Sequence, residues 1–315
     1  MDSAADAPAR VPASVLAIDA GQTGVKVRHR SSAGVVEWAE PGVRTDQPLP
    51  PQLADAIRGA AARGLTAEAV GIGTTGLTSP DFDAEPLIEA AAPLGTRELI
   101  LAHDSITAYL GALDEAPGVV VAAGTGVVTL AVGATAVARI DGWGNIMGDA
   151  GSGYWIGRAA LEAVMRAHDG RGEATALTAV VREEFPELED AYIVLQGDGE
   201  RIRRVARYAR AVAELAETDP VAAGILDAAA RELAHAAVTG LRRVGEDLAA
   251  APTVRAVGGV FGSTRLADAF ERAVRHEIPG AEVEVGSTDP LDGAARLVTM
   301  SAGNPLQRHV AAASR

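Results

Sequence analysis

A carboxylate at the end of an apolar strand is the first group in this sequence that could do chemistry. Residues 99–102 are typical of a buried strand, and His103 and Asp104 follow directly. Ligands of open α/β sheets bind at the carboxyl ends of strands. There Asp104 could take a proton from a substrate hydroxyl while that oxygen attacks phosphorus. Because Asp is also a common N-cap, we predict that Asp104 is a general base, the cap of the next helix, or both.

Two glycine-rich turns follow apolar strands and are candidates for phosphate binding. Backbone N–H groups in such turns can approach phosphate oxygens closely, and Asp19 at the first strand end could hold a hydrated Mg²⁺. Each turn alone is equally typical of a β-hairpin, but both occupy the same place in an internal repeat. Neither pattern is that of a P-loop or a dinucleotide fingerprint. The candidate phosphate-binding residues are Gly21, Gln22, Thr23 and Gly24 in the first turn, and Gly124, Thr125 and Gly126 in the second.

The segment 142–157 concentrates glycine and tryptophan more than any other part of the chain. It holds two of the three tryptophans and reads GWGNIMGDAGSGYWIG. Trp143 could offer a flat apolar face to a sugar ring, and Asp149 could accept hydrogen bonds from sugar hydroxyls. Trp155 is more typical of a helix anchor in the core. We therefore predict that Trp143 and Asp149 contact a ligand and that Trp155 packs inside the fold.

A third glycine-rich segment lies at a later junction between a strand and a helix. At Gly258 and Gly259 a side chain would keep a flat base or a ribose away from the backbone. The pattern is weak by itself. Together with the two turns it makes Gly258, Gly259 and Val260 candidates for binding the nucleoside part of a nucleotide.

The elements that must position these residues form two copies of one plan, β-β-β-α-β-α. This order predicts an α/β protein of two domains, each a mixed sheet flanked by helices, with the glycine turns facing each other across a cleft. We predict a first domain over 14–116 and a second over 117–303, with the last helix, near 291–300, able to pack back on the first. The segments before Ser14 and after Gly303 are expected to be mobile tails.

Composition excludes several classes of protein. The chain has 315 residues, 48% of them hydrophobic, which is enough apolar material for two domains. A net charge of −14 disfavours nucleic acid and anionic membranes as partners. The sequence holds no cysteine, which fits a reducing compartment and removes iron–sulfur clusters and disulfides. We expect a cytoplasmic protein without a signal peptide or membrane span.

These motifs in this order make the sequence resemble the BadF/BadG/BcrA/BcrD-type ATPases of the sugar kinase, actin and heat-shock ATPase superfamily, in particular the N-acetylglucosamine kinases. The resemblance covers about residues 15–300, and its most specific part is the Gly-Trp-Gly … Gly-Asp-x-Gly-Ser pattern. It implies two RNase H-like domains around an ATP and sugar cleft, with ATP and Mg²⁺ as cofactors and Asp104 as general base. The fold permits a homodimer. The residues expected to contact substrate are Asp46, His103, Asp104, Trp143 and Asp149.

The sequence departs from the family pattern at several positions. Gln22 stands where glycine is common, and Ala150 stands where Glu is usual. Val127 and Val128 replace the usual Ser or Asn, which weakens the expectation of an N-acetyl substrate. Asp46 lies near the place of a sugar-binding Asn, and a carboxylate there could favour a free amine.

The resulting expectation is an ATP-dependent kinase that phosphorylates a hydroxyl, O6 by preference, of an amino sugar. N-acetylglucosamine is the expected substrate, and glucosamine is the main alternative. A sensor of the same fold that binds ATP and sugar without catalysis is a further alternative. A reductase-activating ATPase of the family would need cysteines for a bridging cluster, and the chain has none.

Overall fold

The structure, a computed structural model, describes residues 11–44, 46–77 and 81–315. The strands are β1 Val15–Gly21, β2 Gly24–Ser31, β3 Gly34–Glu40, β4 Ala69–Thr74, β5 Glu98–His103, β6 Gly118–Ala123, β7 Val127–Val132, β8 Val137–Ile140, β9 Thr253–Val257, β10 Glu282–Gly286 and β11 Val310–Ser314. The α-helices are α1 Leu49–Ala62, α2 Glu85–Ala90, α3 Asp104–Leu113, α4 Gly144–Met147, α5 Gly153–His168, α6 Leu177–Glu184, α7 Ala191–Gly197, α8 Arg201–Ala206, α9 Tyr208–Leu215, α10 Pro220–Val244, α11 Thr264–Glu277 and α12 Pro290–Leu297. None of these helices combines the length and apolar character needed to cross a membrane.

The chain separates into two compact units. The first comprises the described residues up to Ala116 together with Ala134–Val137 and Thr288–Arg315, and the second comprises Pro117–Gly133 and Ala138–Ser287. The predicted second domain covers 117–303, with the last helix able to pack back on the first domain, and in the structure Thr288 and the residues after it pack with the first unit. The helix near the end of the chain therefore belongs to the first unit.

Each unit is built on one mixed sheet. The first sheet has the order β11-β5-β4-β1-β2-β3, and the second has the order β10-β9-β6-β7-β8. In both, the first strand of the unit pairs antiparallel with the second and parallel with the fourth. The central strands of the first sheet are apolar because helices cover them, and all six residues of β4 are buried. The predicted α/β fold with a repeated strand plan is confirmed.

The end of the chain differs from the prediction of a mobile tail. Strand β11 pairs antiparallel with β5, Ala311 opposite Leu101 and Ala313 opposite Leu99, and both alanines are buried. The tail prediction after Gly303 is therefore wrong. A second difference concerns residues 202–217, which the sequence predicts to be one helix and which the structure divides at Arg207 into α8 and α9.

Helix α12 lies against α3 and β4 at very short range. A Cβ added at Gly293 would lie 1.7 Å from the carbonyl oxygen of Thr107, and one added at Gly71 would lie 1.9 Å from that of Ala294. Glycine is needed at both positions because the two backbones touch. Arg28 of β2 also anchors this helix, through ion pairs with Asp289 and Asp292.

We expect Gly293→Ala to lower the free energy of unfolding by about 1–3 kcal/mol or more, because overpacking a tight contact usually costs that much. The matched control is Gly224→Ala in α10, where an added Cβ meets nothing within 4 Å. Because alanine has the higher helix propensity, this control should be neutral or stabilising by up to about 1 kcal/mol. Urea unfolding of both variants measures the difference, and equal midpoints would contradict the close packing of α12.

Candidate active-site residues of the two units

In the first unit, two carboxylates lie at the carboxyl ends of β1 and β5, two strands of the same sheet that are separated by β4. Asp19 belongs to β1, and Asp104 is the first residue of α3, directly after β5. Strands β1, β4 and β5 run parallel in adjacent positions, so their ends meet at one edge of the sheet. The cross-strand partner of Asp19 is Lys26, on the same face of the sheet.

Burial is the main reason why Asp19 is an unusual carboxylate. Burial, and after it the charges of Asp104 and Asp289, raise the pKa of Asp19 from 3.8 to about 6, while Lys26 acts in the opposite direction. A partly buried carboxylate beside a second one is electrostatically strained when both are ionised. A bound cation would relieve that strain.

These residues fit a magnesium ion held mainly by a nucleotide. Among the described residues there is no group of three or more His, Asp or Glu side chains that could form a metal site alone. Mg²⁺ usually takes one or two protein carboxylates and completes its shell with water and substrate phosphates. Asp19, with its oxygen ligands and its unfavourable ionised state, is the residue that would hold it.

His103 caps helix α3 and thereby leaves Asp104 outside the capping role. Its Nδ1 accepts the N–H of Ser105 at 3.1 Å and lies 2.8 Å from the Ser105 Oγ. The prediction that Asp104 itself is the N-cap is wrong, because Asp104 occupies the first helical position. The His103 Nδ1 lies 3.0 Å from the Asp104 Oδ1, so the two predicted residues are adjacent.

The first glycine turn is backed by a residue that the sequence did not single out. Gln22 and Thr23 form the two-residue turn between β1 and β2, and the Val43 N–H donates to the Gly21 carbonyl at 3.0 Å. A Cβ added at Gly42 would lie 2.1 Å from the backbone carbonyl oxygen of Gln22 and 2.8 Å from the backbone nitrogen of Gly24. Any side chain at position 42 would therefore displace the turn.

The second glycine turn is fixed by the start of α5. The N–H of Gly153 donates to the Gly124 carbonyl at 2.8 Å, and that of Tyr154 donates to the Thr125 carbonyl at 3.0 Å. The Gly124 N–H is used inside the turn, where it donates to the Gly126 carbonyl at 2.8 Å. The amides of Thr125 and Gly126 are then the candidate donors to a phosphate.

The loop between β8 and α5 presents Trp143 and Asp149. The Trp143 side chain is 56% exposed, and the Arg139 guanidinium lies over its ring, 4.7 Å from the centroid. Asp149 accepts hydrogen bonds from the Val127 and Gly144 amides, and burial raises its pKa. This carboxylate therefore joins the loop to the end of the second glycine turn. Trp155 packs against the core, as predicted.

Gly126 leaves room for the Asp149 carboxylate, because a Cβ added there would lie 2.9 Å from its Oδ2. An added Cβ at Gly124 meets nothing within 4 Å. With the sugar and ATP that the sequence leads us to expect as substrates, Gly126→Ala should raise the KM for the sugar by about tenfold or more through displacement of Asp149. Gly124→Ala should instead raise the KM for ATP. Its methyl group would occupy the open space beside the second glycine turn, where the phosphates are expected to bind. Steady-state kinetics with each substrate varied will test this difference, and the reverse pattern would contradict it.

The third glycine segment has a packing role in addition to the predicted binding role. Gly258 has a φ of 106°, and an added Cβ would lie 2.3 Å from the Ala123 oxygen of β6. An added Cβ at Gly259 meets nothing within 4 Å.

Just beyond Val260, the first residues of α11 line a cavity of about 500 Å³ that the sequence did not reveal. The lining residues are Glu217, Asp227, Arg231, Thr264, Arg265, Asp268, Ala269 and Arg272.

Asp46 is the predicted ligand contact with the least structural support. Its carboxylate is exposed and pairs with the Arg44 guanidinium at 2.9 Å. This hydrogen bond lowers the pKa of Asp46. The neighbouring Thr45 lies outside the described residues.

Each unit thus combines an RNase H-like sheet with a glycine turn between its first two strands, the arrangement of actin-like ATPases and sugar kinases. A crystal structure described as a proposed N-acetylglucosamine kinase of Chromobacterium violaceum shares this fold with a TM-score of 0.73 and 25% identity, over 92% of this chain and all of that one. Residues 18–295 match the BadF/BadG/BcrA/BcrD ATPase family, and the chain belongs to that family.

Two curated relatives have names that specify a sugar. An N-acetylmuramic acid/N-acetylglucosamine kinase of Clostridium acetobutylicum is 32% identical over 171 residues, which are 52% of this chain and 55% of that protein. An N-acetyl-D-glucosamine kinase of Dictyostelium discoideum is 29% identical over 190 residues, which are 58% and 60% of the two chains. The alignments thus span little more than half the length of these relatives.

Proposed function

We propose that this chain transfers the γ-phosphoryl group of ATP to the O6 hydroxyl of N-acetylglucosamine. The observation that carries this proposal is Asp104 at the head of α3, outside the capping role and close enough to the partly buried Asp19 to raise its pKa. In the second unit, Trp143 and Asp149 supply the sugar-contacting groups on one short loop. The names of the two curated relatives and of the Chromobacterium structure support the choice of sugar.

In the proposed reaction, Asp104 accepts the proton of the sugar hydroxyl as its oxygen forms a bond to the γ-phosphorus. The bond between that phosphorus and the β,γ-bridging oxygen breaks, and ADP leaves with the electron pair. The Thr125 and Gly126 amides, together with the first glycine turn, would donate hydrogen bonds to the phosphate oxygens. Mg²⁺, held by Asp19 and the nucleotide, would supply charge neutralisation of the phosphates.

The nucleoside part of ATP is proposed to bind beside Gly259 and Val260. The cavity at the start of α11 supports this assignment because its lining includes Thr264, which follows that segment closely in sequence, and because it is of the size that small-molecule sites have. Its Arg265 guanidinium is held by Asp227 at 2.9 Å. The pair can therefore present a guanidinium plane and carboxylate oxygens in fixed positions.

A glucosamine kinase is the second candidate. The two valines that follow Gly126, Val127 and Val128, are the observation that favours it. Val127 contributes its amide to Asp149, while the Val128 side chain reaches the loop, since a Cβ added at Gly142 would lie 3.0 Å from Val128 Cγ2. The apolar side chain replaces a group that could hydrogen-bond an acetamide. The exposed position of Asp46, paired with Arg44, gives less support to recognition of a free amine than the sequence suggested.

The experiment that tests the proposal is coupled ADP release with ATP and Mg²⁺ over a panel of sugars. The panel is N-acetylglucosamine, glucosamine, N-acetylmannosamine, N-acetylmuramic acid and glucose. A preference for N-acetylglucosamine in kcat/KM supports the main proposal, and a preference for glucosamine supports the alternative. Sugar binding and ATP binding without ADP release from any member would instead favour a sensor.

A further inference from the structure

The backbone of the loop after β8 takes conformations that need outside support. Asp141 has a φ of 57° and Asp149 a φ of 58°, both in the left-handed region that residues with a Cβ rarely adopt. Gly142 and Gly144 lie in the same region, at 78° and 79°. Such conformations persist only where the surrounding structure holds them in place.

The Asp141 carboxylate supplies that support through hydrogen bonds to both ends of the loop. Its Oδ1 accepts the N–H of Gly142 at 2.7 Å, that of Trp143 at 3.4 Å and that of Asp149 at 2.8 Å. Its Oδ2 accepts the N–H of Ala150 at 2.9 Å. One carboxylate thus joins the residues that open the loop to those that close it, and hydrogen bonds to an ionised acceptor are the stronger kind.

Two neighbours of Asp141 support these hydrogen bonds: Gly148 leaves room for the carboxylate, and Arg139 adds further contacts to the loop. A Cβ added at Gly148 would lie 2.2 Å from the Asp141 Oδ1, so glycine is required where the carboxylate crosses the loop. Arg139 holds the loop from the other side by donating to the carbonyls of Asp141 and Gly142 and by stacking on Trp143. The Asp149 side chain is consequently aimed at the second glycine turn, where it accepts the Val127 amide.

We propose that Asp141 is a positioning residue that fixes Trp143 and Asp149 in their sugar-contacting geometry. It touches no reacting atom and acts by setting the backbone on which those two side chains stand. This inference rests on the proposed function for its kinetic consequence. The geometric part, that one carboxylate holds the loop closed, stands on the four hydrogen bonds alone.

Two substitutions separate the carboxylate from the backbone conformation. Asp141→Asn keeps a residue type that tolerates a positive φ, and its one oxygen can still accept the N–H groups of Gly142, Trp143 and Asp149. Its NH₂ group, however, would face the Ala150 N–H and could not accept it. Asp141→Ala removes every acceptor. The matched control is Asp219→Asn, since the Asp219 carboxylate in the same unit also accepts backbone N–H groups, from Ala176, Val221 and Ala222, and caps α10.

The kinetic readout is the KM for N-acetylglucosamine and for ATP in each variant. Because a displacement of about 1 Å in a positioning contact can cost roughly 10²-fold, we expect Asp141→Ala to raise the sugar KM by that order and Asp141→Asn by about tenfold. The KM for ATP should stay within about twofold of the wild-type value, because the second glycine turn keeps its contacts to α5. Asp219→Asn should lower the melting temperature and leave both KM values unchanged.

A second readout, amide hydrogen exchange measured by mass spectrometry, needs no substrate. We expect faster exchange in a peptide covering 141–151 in both Asp141 variants, and unchanged exchange there in Asp219→Asn. If no sugar is phosphorylated by the wild-type chain, the proposed function fails, and the exchange rates still decide whether Asp141 holds the loop. Unchanged exchange in Asp141→Asn, or a lower melting temperature with unchanged sugar KM, would overturn the inference. If Asp141→Ala does not fold, the Asn variant decides.

Discussion

Asp104→Asn is expected to lower kcat by about 10²-fold or more, the usual range for loss of a general base. The amide of asparagine has the shape of the carboxyl group but cannot take the proton of the sugar hydroxyl. ATP binding should persist, because neither glycine turn uses this side chain. Coupled ADP release gives kcat, and isothermal titration with ATP gives the affinity.

Asp114→Asn is the matched control for Asp104→Asn. Asp114 lies at the other end of the same helix, pairs with Arg296 at 2.5 Å, and has a φ of 57°, which asparagine tolerates. The same chemical change at this position should leave kcat within about twofold of wild type. Near-normal turnover of Asp104→Asn would show that the proton goes elsewhere and would refute the assignment of the base.

Much of the fold could be predicted because it is encoded locally. The apolar run of β1, the alternation in β2 and the repeat of both in β6 and β7 follow from strand periodicity, and glycine marks each connecting turn. The order of motifs then indicated the two-sheet plan. The same local signals located Asp104 at a strand end and Trp143 on a loop, which are the positions found in the structure.

The pairing of the last strand with β5 could not be predicted, because it depends on contacts between residues far apart in sequence. Strand β11 reads VAAAS, a pattern without a clear period, and it becomes a strand only because β5 offers a free edge. Helix α12 packs on β4 through glycines whose meaning appears only when the two backbones are seen together. Local propensity carries none of this information.

The supporting residues of the site were missed for a similar reason. Gly42 is one glycine among 35, and nothing in its neighbours shows that it touches the turn at Gln22. Asp141 looked like an ordinary residue before a glycine. A signal existed in the Asp-Gly pair at a turn, which is typical of positive φ and of side chains that cap nearby amides, but its partners at 149 and 150 required the structure.

Replacing Asp19 is expected to have opposite effects on stability and on activity. Because burial and Asp104 raise its pKa to about 6, the ionised Asp19 destabilises the fold at neutral pH. The shift from 3.8 corresponds to at most about 3 kcal/mol. Asp19→Asn removes the charge while keeping the shape, so at pH 8 without Mg²⁺ the variant should be more stable than wild type by up to that amount.

The pH dependence gives this expectation a definite sign. A folded pKa above the unfolded value means that the favourable contribution of protonated Asp19 is complete below pH 3.8 and disappears as the pH rises through about 6. The stability advantage of Asp19→Asn over wild type should therefore be largest at pH 8 and shrink as the pH falls toward 4. Urea unfolding at several pH values without metal measures it, with Asp114→Asn as a variant that should show no such trend.

The same substitution should lower kcat by roughly 10²-fold or more, since it removes the carboxylate proposed to hold Mg²⁺ at the transferring phosphate. Mg²⁺ with ATP should raise the melting temperature of wild type by relieving the repulsion between Asp19 and Asp104, and should raise that of Asp19→Asn much less. The proposed use of Asp19 in catalysis would then explain why the fold keeps an ionised carboxylate that costs stability in the absence of Mg²⁺ and ATP. A variant that is both less stable at pH 8 and fully active would contradict the burial of this charge and its role together.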